Sequence, residues 1–280
     1  MLSLHRTHKS IIDMFDFKPF PKETFKRNFL RTVVFQLQYP SLKGDILKEY
    51  KIVAEKYFLD KLPRIGNSNN TKFSVNFTNN ETPIVRVGND PVGLVFKSEK
   101  GDKQLQITNN AMTYTIMGVV YTDFDTLKND LATACDFLNE IGVDIVSRIG
   151  IRKVNIIGFN TNNPDPTFVL KEMLSPEILS NMGSFPTPEK IKNFIQTISY
   201  NANNYQLNIN YGLSSVNSGP VVQGTNTLRG TIIIDIDLLH IENSQLNQIW
   251  PLSDEINTEI FNVFNWAISN NARNILRGNE

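Results

Sequence analysis

Asp144-Ile-Val-Ser-Arg-Ile-Gly-Ile-Arg-Lys-Val-Asn-Ile-Ile157 decides how the rest of the chain is read. It is rich in β-branched residues, which suit a pleated, half-buried strand. Side chains on a strand alternate between two faces. One face carries Ser147, Ile149, Ile151, Lys153 and Asn155; the other carries Arg148, Gly150, Arg152, Val154 and Ile156. Two arginines flanking a glycine on one face of so apolar a strand are costly unless paired or used. Arg148, Arg152, Lys153 and Asn155 are therefore the candidate ligand-binding residues.

Working outward, the pattern is one of antiparallel strands with a few helices. Upstream, Arg31–Tyr39 alternates as a strand, with Val33, Phe35, Leu37 and Tyr39 on one face and Pro40 as its stop. Before it, Phe15, Phe17, Phe20, Phe25 and Phe29 read as aromatic anchors of an arm. Asp45 is a candidate N-cap for a helix through residue 60. Pro63 and Gly66–Thr71 predict a loop, followed by short strands at Phe73–Phe77 and Ile84–Val87. Gly93–Lys97 and Gln104–Thr108 flank Glu99-Lys-Gly-Asp102 as a hairpin, and Ala111–Met117 is a further strand. Asp123–Glu140 reads as a second helix that stops at Gly142.

Downstream, Asn160–Pro166 reads as a loop. Phe168–Met182 is expected to be helical in part, with Ser175-Pro-Glu177 opening the helix. Strands are expected at Phe194–Tyr200, Tyr205–Tyr211 and Thr231–Leu239, with 213–230 a long loop. A last helix is expected over Ser253–Leu276. The implied class is α+β: a curved antiparallel sheet with amphipathic helices packed on one side. Antiparallel strands followed by an amphipathic helix occur twice, so the chain divides into halves at 1–160 and 161–280, either as two similar subdomains or as one continuous domain.

Bulk composition narrows the function classes. Lys plus Arg and Asp plus Glu number 28 each in 280 residues, so no global charge steers the chain to nucleic acid or an anionic membrane. A single cysteine, Cys135, precludes an internal disulfide and points to a reducing cytoplasm. No apolar run matches a membrane span, and the first residues lack the apolar core of a secretory signal, so neither is expected. No phosphate-binding glycine loop, dinucleotide fingerprint or nucleophile elbow is present, and no cofactor is expected.

Several residues invite a chemical reading and are weaker than they look. His5 and His8 lack further ligands nearby for a metal. Asp235 and Asp237 share one face of a strand, while His240 and Glu242 share the other, so they diverge as a hydrolytic set. Cys135 lies in an apolar helix stripe and needs a base that the sequence does not supply. Tyr200, Tyr205 and Tyr211 have no interleaved basic residues, so cross-strand packing is expected of them. Arg148 and Arg152 could pin an extended anion such as a nucleotide or a nucleic-acid backbone. The structural alternative is that each pairs with a helix carboxylate, for instance Glu140, Glu255 or Glu259.

Features along most of the chain support a resemblance. They are Phe20-Pro to Tyr39-Pro40, Val95-Phe-Lys-Ser-Glu-Lys-Gly-Asp with Leu105-Gln-Ile-Thr, Tyr121-Thr-Asp-Phe, Arg148-Ile-Gly-Ile-Arg-Lys-Val-Asn155, and the C-terminal helix with Phe264. Together they resemble an uncharacterised prokaryotic family of sporadic distribution, known mainly as a numbered sequence model, with an Arg-x-Gly-x-Arg-Tyr-x-Asn strand. Lys153 departs from it where an aromatic is usual, and Asn257 where a helix histidine is common. The resemblance implies no activity; such families travel with mobile elements and phage-defence genes. The expected function is a non-enzymatic cytoplasmic binding protein, a sensor or adaptor of phage defence whose partner is another protein or a second copy. The alternative is a nucleic-acid or nucleotide binder using Arg148 and Arg152.

Overall fold

Alternation along the strands puts most of the large apolar side chains on one face of the sheet, and among the described residues the helices collect on that face. The computed structural model describes residues 15–21, 23, 25–76, 84–179, 187, 190–218 and 228–278, with 69–76, 84–91, 215, 217 and 218 as backbone only. The strands are β1 (Leu30–Gln38), β2 (Arg64–Asn76), β3 (Ile84–Lys97), β4 (Lys103–Thr108), β5 (Ala111–Met117), β6 (Ile145–Val146), β7 (Arg148–Thr161), β8 (Phe194–Ala202), β9 (Tyr205–Ser218), β10 (Leu228–His240) and β11 (Ser244–Gln245). Among the described residues, nine of them form one open antiparallel sheet in the order β2-β3-β4-β5-β1-β7-β10-β9-β8, while β6 and β11 pair separately. Strands from both halves of the chain thus share one sheet, joined where β7 meets β10.

β1 sits between β5 and β7, although it comes first in the chain. Phe35 lies opposite Tyr114 of β5 and Ile151 of β7, and all three are buried. The helices are α1 (Lys51–Phe58), α2 (Phe124–Asp130), α3 (Ala134–Glu140), α4 (Pro166–Met173), α5 (Ile249–Ala267) and α6 (Asn270–Arg277). α5 lies across β7 and β10 and stacks Trp250 on Phe35 at 5.5 Å between ring centroids. The arm from Phe15 is tied to this layer. Phe17 meets Trp266 edge-on at 5.1 Å, the Phe20 amide donates to Asn262 Oδ1, and the Arg27 amide donates to the Leu276 carbonyl.

Several element boundaries differ from the sequence reading, each for a physical reason. α5 starts at Ile249 rather than Ser253, because Pro251 falls in the first turn, where a missing amide proton costs nothing. The expected helix over 253–276 is two helices. Ile268 turns extended and bridges Leu174, and the Ser269 hydroxyl caps α6 through the Ala272 amide. The expected 123–140 helix is likewise two, capped at its start by Asp123. Asp45 organises a turn through the Leu47 amide, and α1 itself begins at Lys51.

α4 starts at Pro166 under an Asp165 cap and ends before Ser175, so Asp165-Pro166 rather than Ser175-Pro176 opens that helix. Gly66–Thr71, read as a loop, belongs to β2, which tolerates polar residues because it is an outermost strand. Much of 213–230 is also strand; residues 219–227 lie outside the described residues, as do Phe77 at the end of the expected Phe73–Phe77 strand and Met182.

Phe35 is fully buried between two strands and Trp250. Phe35→Ala is expected to cost about 3–5 kcal/mol, read as a lower denaturant midpoint with an unchanged slope.

Candidate functional site

β7 carries all four candidate residues and is hydrogen-bonded along both edges, to β1 and β10. Arg148, Gly150 and Arg152 point to the open face of the sheet; Lys153 and Asn155 point to the helix side. The alternation read from the sequence therefore separates the four into two sites rather than one.

On the open face, Arg152 makes a bidentate pair with Asp235 of β10, Nε to Oδ1 at 2.8 Å and Nη2 to Oδ2 at 2.7 Å. The Asp235 side chain is 4% exposed and that of Arg152 50%. Asn210 of β9 adds a long contact to Asp235 Oδ2 at 3.5 Å. Asp237 lies directly opposite Arg152. Burial raises its carboxyl above the usual range, with Arg152 opposing the rise, Asp235 adding to it and Arg148 also opposing.

Arg148 has no carboxylate within 4 Å among the described residues. Its Nη2 donates to Gln36 Oε1, and Gln36 Nε2 donates on to Thr113 Oγ1 at 3.0 Å. Arg148 Nε is buried without an acceptor. Gly150 between the arginines leaves room for Leu239; a Cβ there would lie 2.7 Å from Leu239 Cδ2.

The helix carboxylates expected to pair with these arginines do not. Glu140 accepts from Lys56 at 2.7 Å and from Tyr57, and Glu255 accepts from the Tyr205 hydroxyl at 3.2 Å. Glu259, on α5, accepts from Asn262. All three belong to helices, and the arginines face away from the helix layer. The partner is a strand residue, Asp235, which the sequence had marked only as a doubtful hydrolytic group.

On the helix side, Lys153 Nζ donates to Asn257 Oδ1 of α5 at 2.7 Å and lies 5.4 Å from the centre of the Tyr121 ring. No carboxylate lies within 4 Å of Lys153 among the described residues, and burial pushes its ammonium down to about 8. Asn155 is buried and donates to the Ile234 carbonyl at 3.2 Å.

The remaining sequence candidates fall apart as sites. His240 is buried on the helix side, 3.5 Å from the Ser244 hydroxyl and packed on Tyr205 at 4.9 Å, on the face opposite Asp235 and Asp237. Burial lowers its pKa, with Glu242 and Glu255 opposing. Cys135 is half-buried against the Leu246 carbonyl, and burial raises its thiol. Tyr211 is buried and bonds the Ile178 carbonyl, while Tyr200 meets Phe15 and Phe17 edge-on. Among the described residues, no three His, Cys, Asp or Glu side chains are grouped to hold a metal ion; His5 and His8 lie outside them. No described helix is long and apolar enough to cross a membrane.

Sequence reasoning missed Asn257 and Tyr121 as neighbours of Lys153, and Gln36 as the acceptor for Arg148. Only the alternation along β1, which puts Gln36 opposite Phe35, hinted at the last. No protein-family model matches the chain, and no curated protein matches its sequence.

Two expectations follow from the asymmetry of these contacts. Arg152→Ala leaves the enclosed Asp235 carboxylate without its partner, whereas Asp235→Ala leaves a half-exposed guanidinium that can turn to water. Arg152→Ala is therefore expected to cost about 2–4 kcal/mol and Asp235→Ala clearly less, compared by urea unfolding at pH 7.

Lys153 works against stability while it is charged. Below about pH 8 both the folded and unfolded chains hold the proton, and the full desolvation cost is present. Between there and the unfolded value of about 10.4 the folded amine is neutral and the cost fades. Lys153→Met is expected to raise stability by about 1–3 kcal/mol at pH 7, with the gain shrinking as pH rises from 8 towards 10.

Proposed function

We propose that the protein is a non-enzymatic binding protein that acts by protein–protein contact through the open face of its sheet. The observation that carries this reading is the one-sided placement of the helices. Among the described residues, nothing covers the other face of a nine-stranded sheet. That face carries many uncharged hydrogen-bonding side chains, Gln104 and Gln106 on β4, Thr113 and Thr115 on β5, Asn208 and Asn210 on β9, Thr197 and Ser199 on β8, beside an apolar stretch of Val34, Val154, Ile156, Ile233 and Ile195. Neighbours on it already bond one another, Thr197 to Asn210 at 2.7 Å and Ser199 to Asn208 at 2.9 Å, so the surface is held in place before a partner arrives.

Charge separates this reading from the nucleic-acid one. At the centre of the face Arg148 and Arg152 are matched by Asp235 and Asp237, and Arg152 is already engaged by Asp235. Affinity for a phosphate backbone rests on unneutralised cations, whereas a protein partner is served by a neutral, amide-rich surface with one anchoring arginine, here Arg148. A place as a cytoplasmic sensor or adaptor of phage defence follows from the resembled family's gene associations and belongs to the same proposal.

A native mass spectrum of the protein purified gently from its host is expected to contain a second protein at fixed stoichiometry. The double variant Thr115→Lys, Ser199→Lys is expected to lose that partner with little change in melting temperature. A co-purifying nucleotide or nucleic acid, held more tightly by the double variant and released steeply by salt, would replace this reading with the nucleic-acid one.

A further inference from the structure

The two outermost strands of the sheet are built differently. β2 opens on a charged residue, Arg64, and its register with β3 shifts between Ser68 and Asn69. A charge and a bulge are two of the devices that keep an edge strand from pairing with another chain. β8 has neither. From Phe194 to Ala202 it holds no charged residue and no proline, and its register with β9 runs unbroken. Its isoleucines, threonine and tyrosine favour the extended backbone. Among the described residues, no backbone partner lies along the outer edge of Ile195–Ala202.

The β8–β9 turn decides which groups that edge offers. It consists of Asn203 and Asn204, and Ala202 faces Tyr205 across it. The pair that flanks a two-residue turn exchanges both of its hydrogen bonds. Counting back in twos, Tyr200, Ile198 and Gln196 also bond β9. Ile195, Thr197, Ser199 and Asn201 therefore turn their N–H and C=O groups outward.

We propose that two copies of this chain join along β8, antiparallel about a two-fold axis at Ile198, to make one continuous sheet. In that register Thr197 lies opposite Ser199 of the other copy and Ile195 opposite Asn201, so all four outward residues of each copy are used, for about eight backbone hydrogen bonds. Moving the axis to Thr197 or Ser199 leaves one of the four without a partner on β8. The side chains agree with this register. Ile198 meets itself, Gln196 meets Tyr200, and no charge meets a like charge. Ile195 and Tyr200, 42% and 41% exposed, are both brought to the seam. Telling one foreign chain from another relies on charges or pockets beside the strand, and β8 carries no charge; a second copy needs none. The equal numbers of acidic and basic residues also leave two copies without net repulsion. The seam is an edge of the sheet, so the dimer requires no second protein and stands independently of the proposed use of the open face.

Sedimentation velocity of the purified full chain at micromolar concentration is expected to show a dimer. Thr197→Pro removes an outward N–H at a position where an edge strand tolerates proline. It is expected to weaken dimerisation by about tenfold or more with an unchanged circular dichroism spectrum. Under mild oxidation Ile198→Cys is expected to give a disulfide-linked dimer, because directly opposed residues outside the hydrogen-bonded pairs lie about 4.5 Å apart between Cα atoms. Gln196→Cys, whose two copies would lie about 14 Å apart, is expected to stay unlinked, as is the unaltered chain with Cys135 alone. A monomer overturns the proposal. So does a dimer that Thr197→Pro leaves as tight as before, or one that Ile198→Cys fails to link or Gln196→Cys links as readily. Should Thr197→Pro not fold, the two cysteine variants decide.

Discussion

The pairing of β7 on both edges is the constraint on which the rest of the structure depends. β1 fixes one edge and β10 the other, and the register they impose decides which side every β7 side chain faces. A slip of one residue would bury Arg148 and Arg152 under α5 and turn Ile149 and Ile151 to the open side. The apolar alternation of β1 and β10 makes that slip prohibitive: Val33, Phe35 and Leu37 on one side and Ile232, Ile234, Ile236 and Leu238 on the other are all fully or nearly fully buried. The charged residues of β7 are thus placed by their hydrophobic neighbours.

This placement gives the two sides of one strand different electrostatics. On the open side water is close, and Arg152 can remain half-exposed while holding Asp235 with both nitrogens. On the helix side Lys153 has only an amide and an aromatic ring for company. The same charge is cheap in the first place and expensive in the second.

How much of this was legible depended on the range of the interaction. Alternation is local, so the assignment of Arg148 and Arg152 to one side of β7 and Lys153 and Asn155 to the other could be read directly. So could the α+β class with its antiparallel sheet, and the divergence of His240 from Asp235 and Asp237. The partner of Arg152 was not legible, because Asp235 lies 83 residues away and is brought there only by the β7–β10 register. Helix carboxylates were the wrong place to look, because the arginines face away from the helices. Boundaries failed where one residue has two meanings: Pro251 stops a helix from inside and starts one from its first turn, and the Gly-Asn-Ser-Asn-Asn run that spells a turn is also tolerable on an outermost strand.

The position of β1 also bears on how the chain acquires its fold. It is made first, yet it lies in the middle of the sheet, and its β7 neighbour lacks a second partner until β10 has been synthesised. Contacts so distant along the chain carry a high loop-closure entropy, and proteins of high contact order fold slowly. A nascent chain that has emerged only as far as Thr161 would present the apolar side of β7 without α5 and its far edge without β10, a state prone to sticking to other chains. On the ribosome, β10 therefore acts as the latch, and completion of the sheet waits for it to leave the exit tunnel.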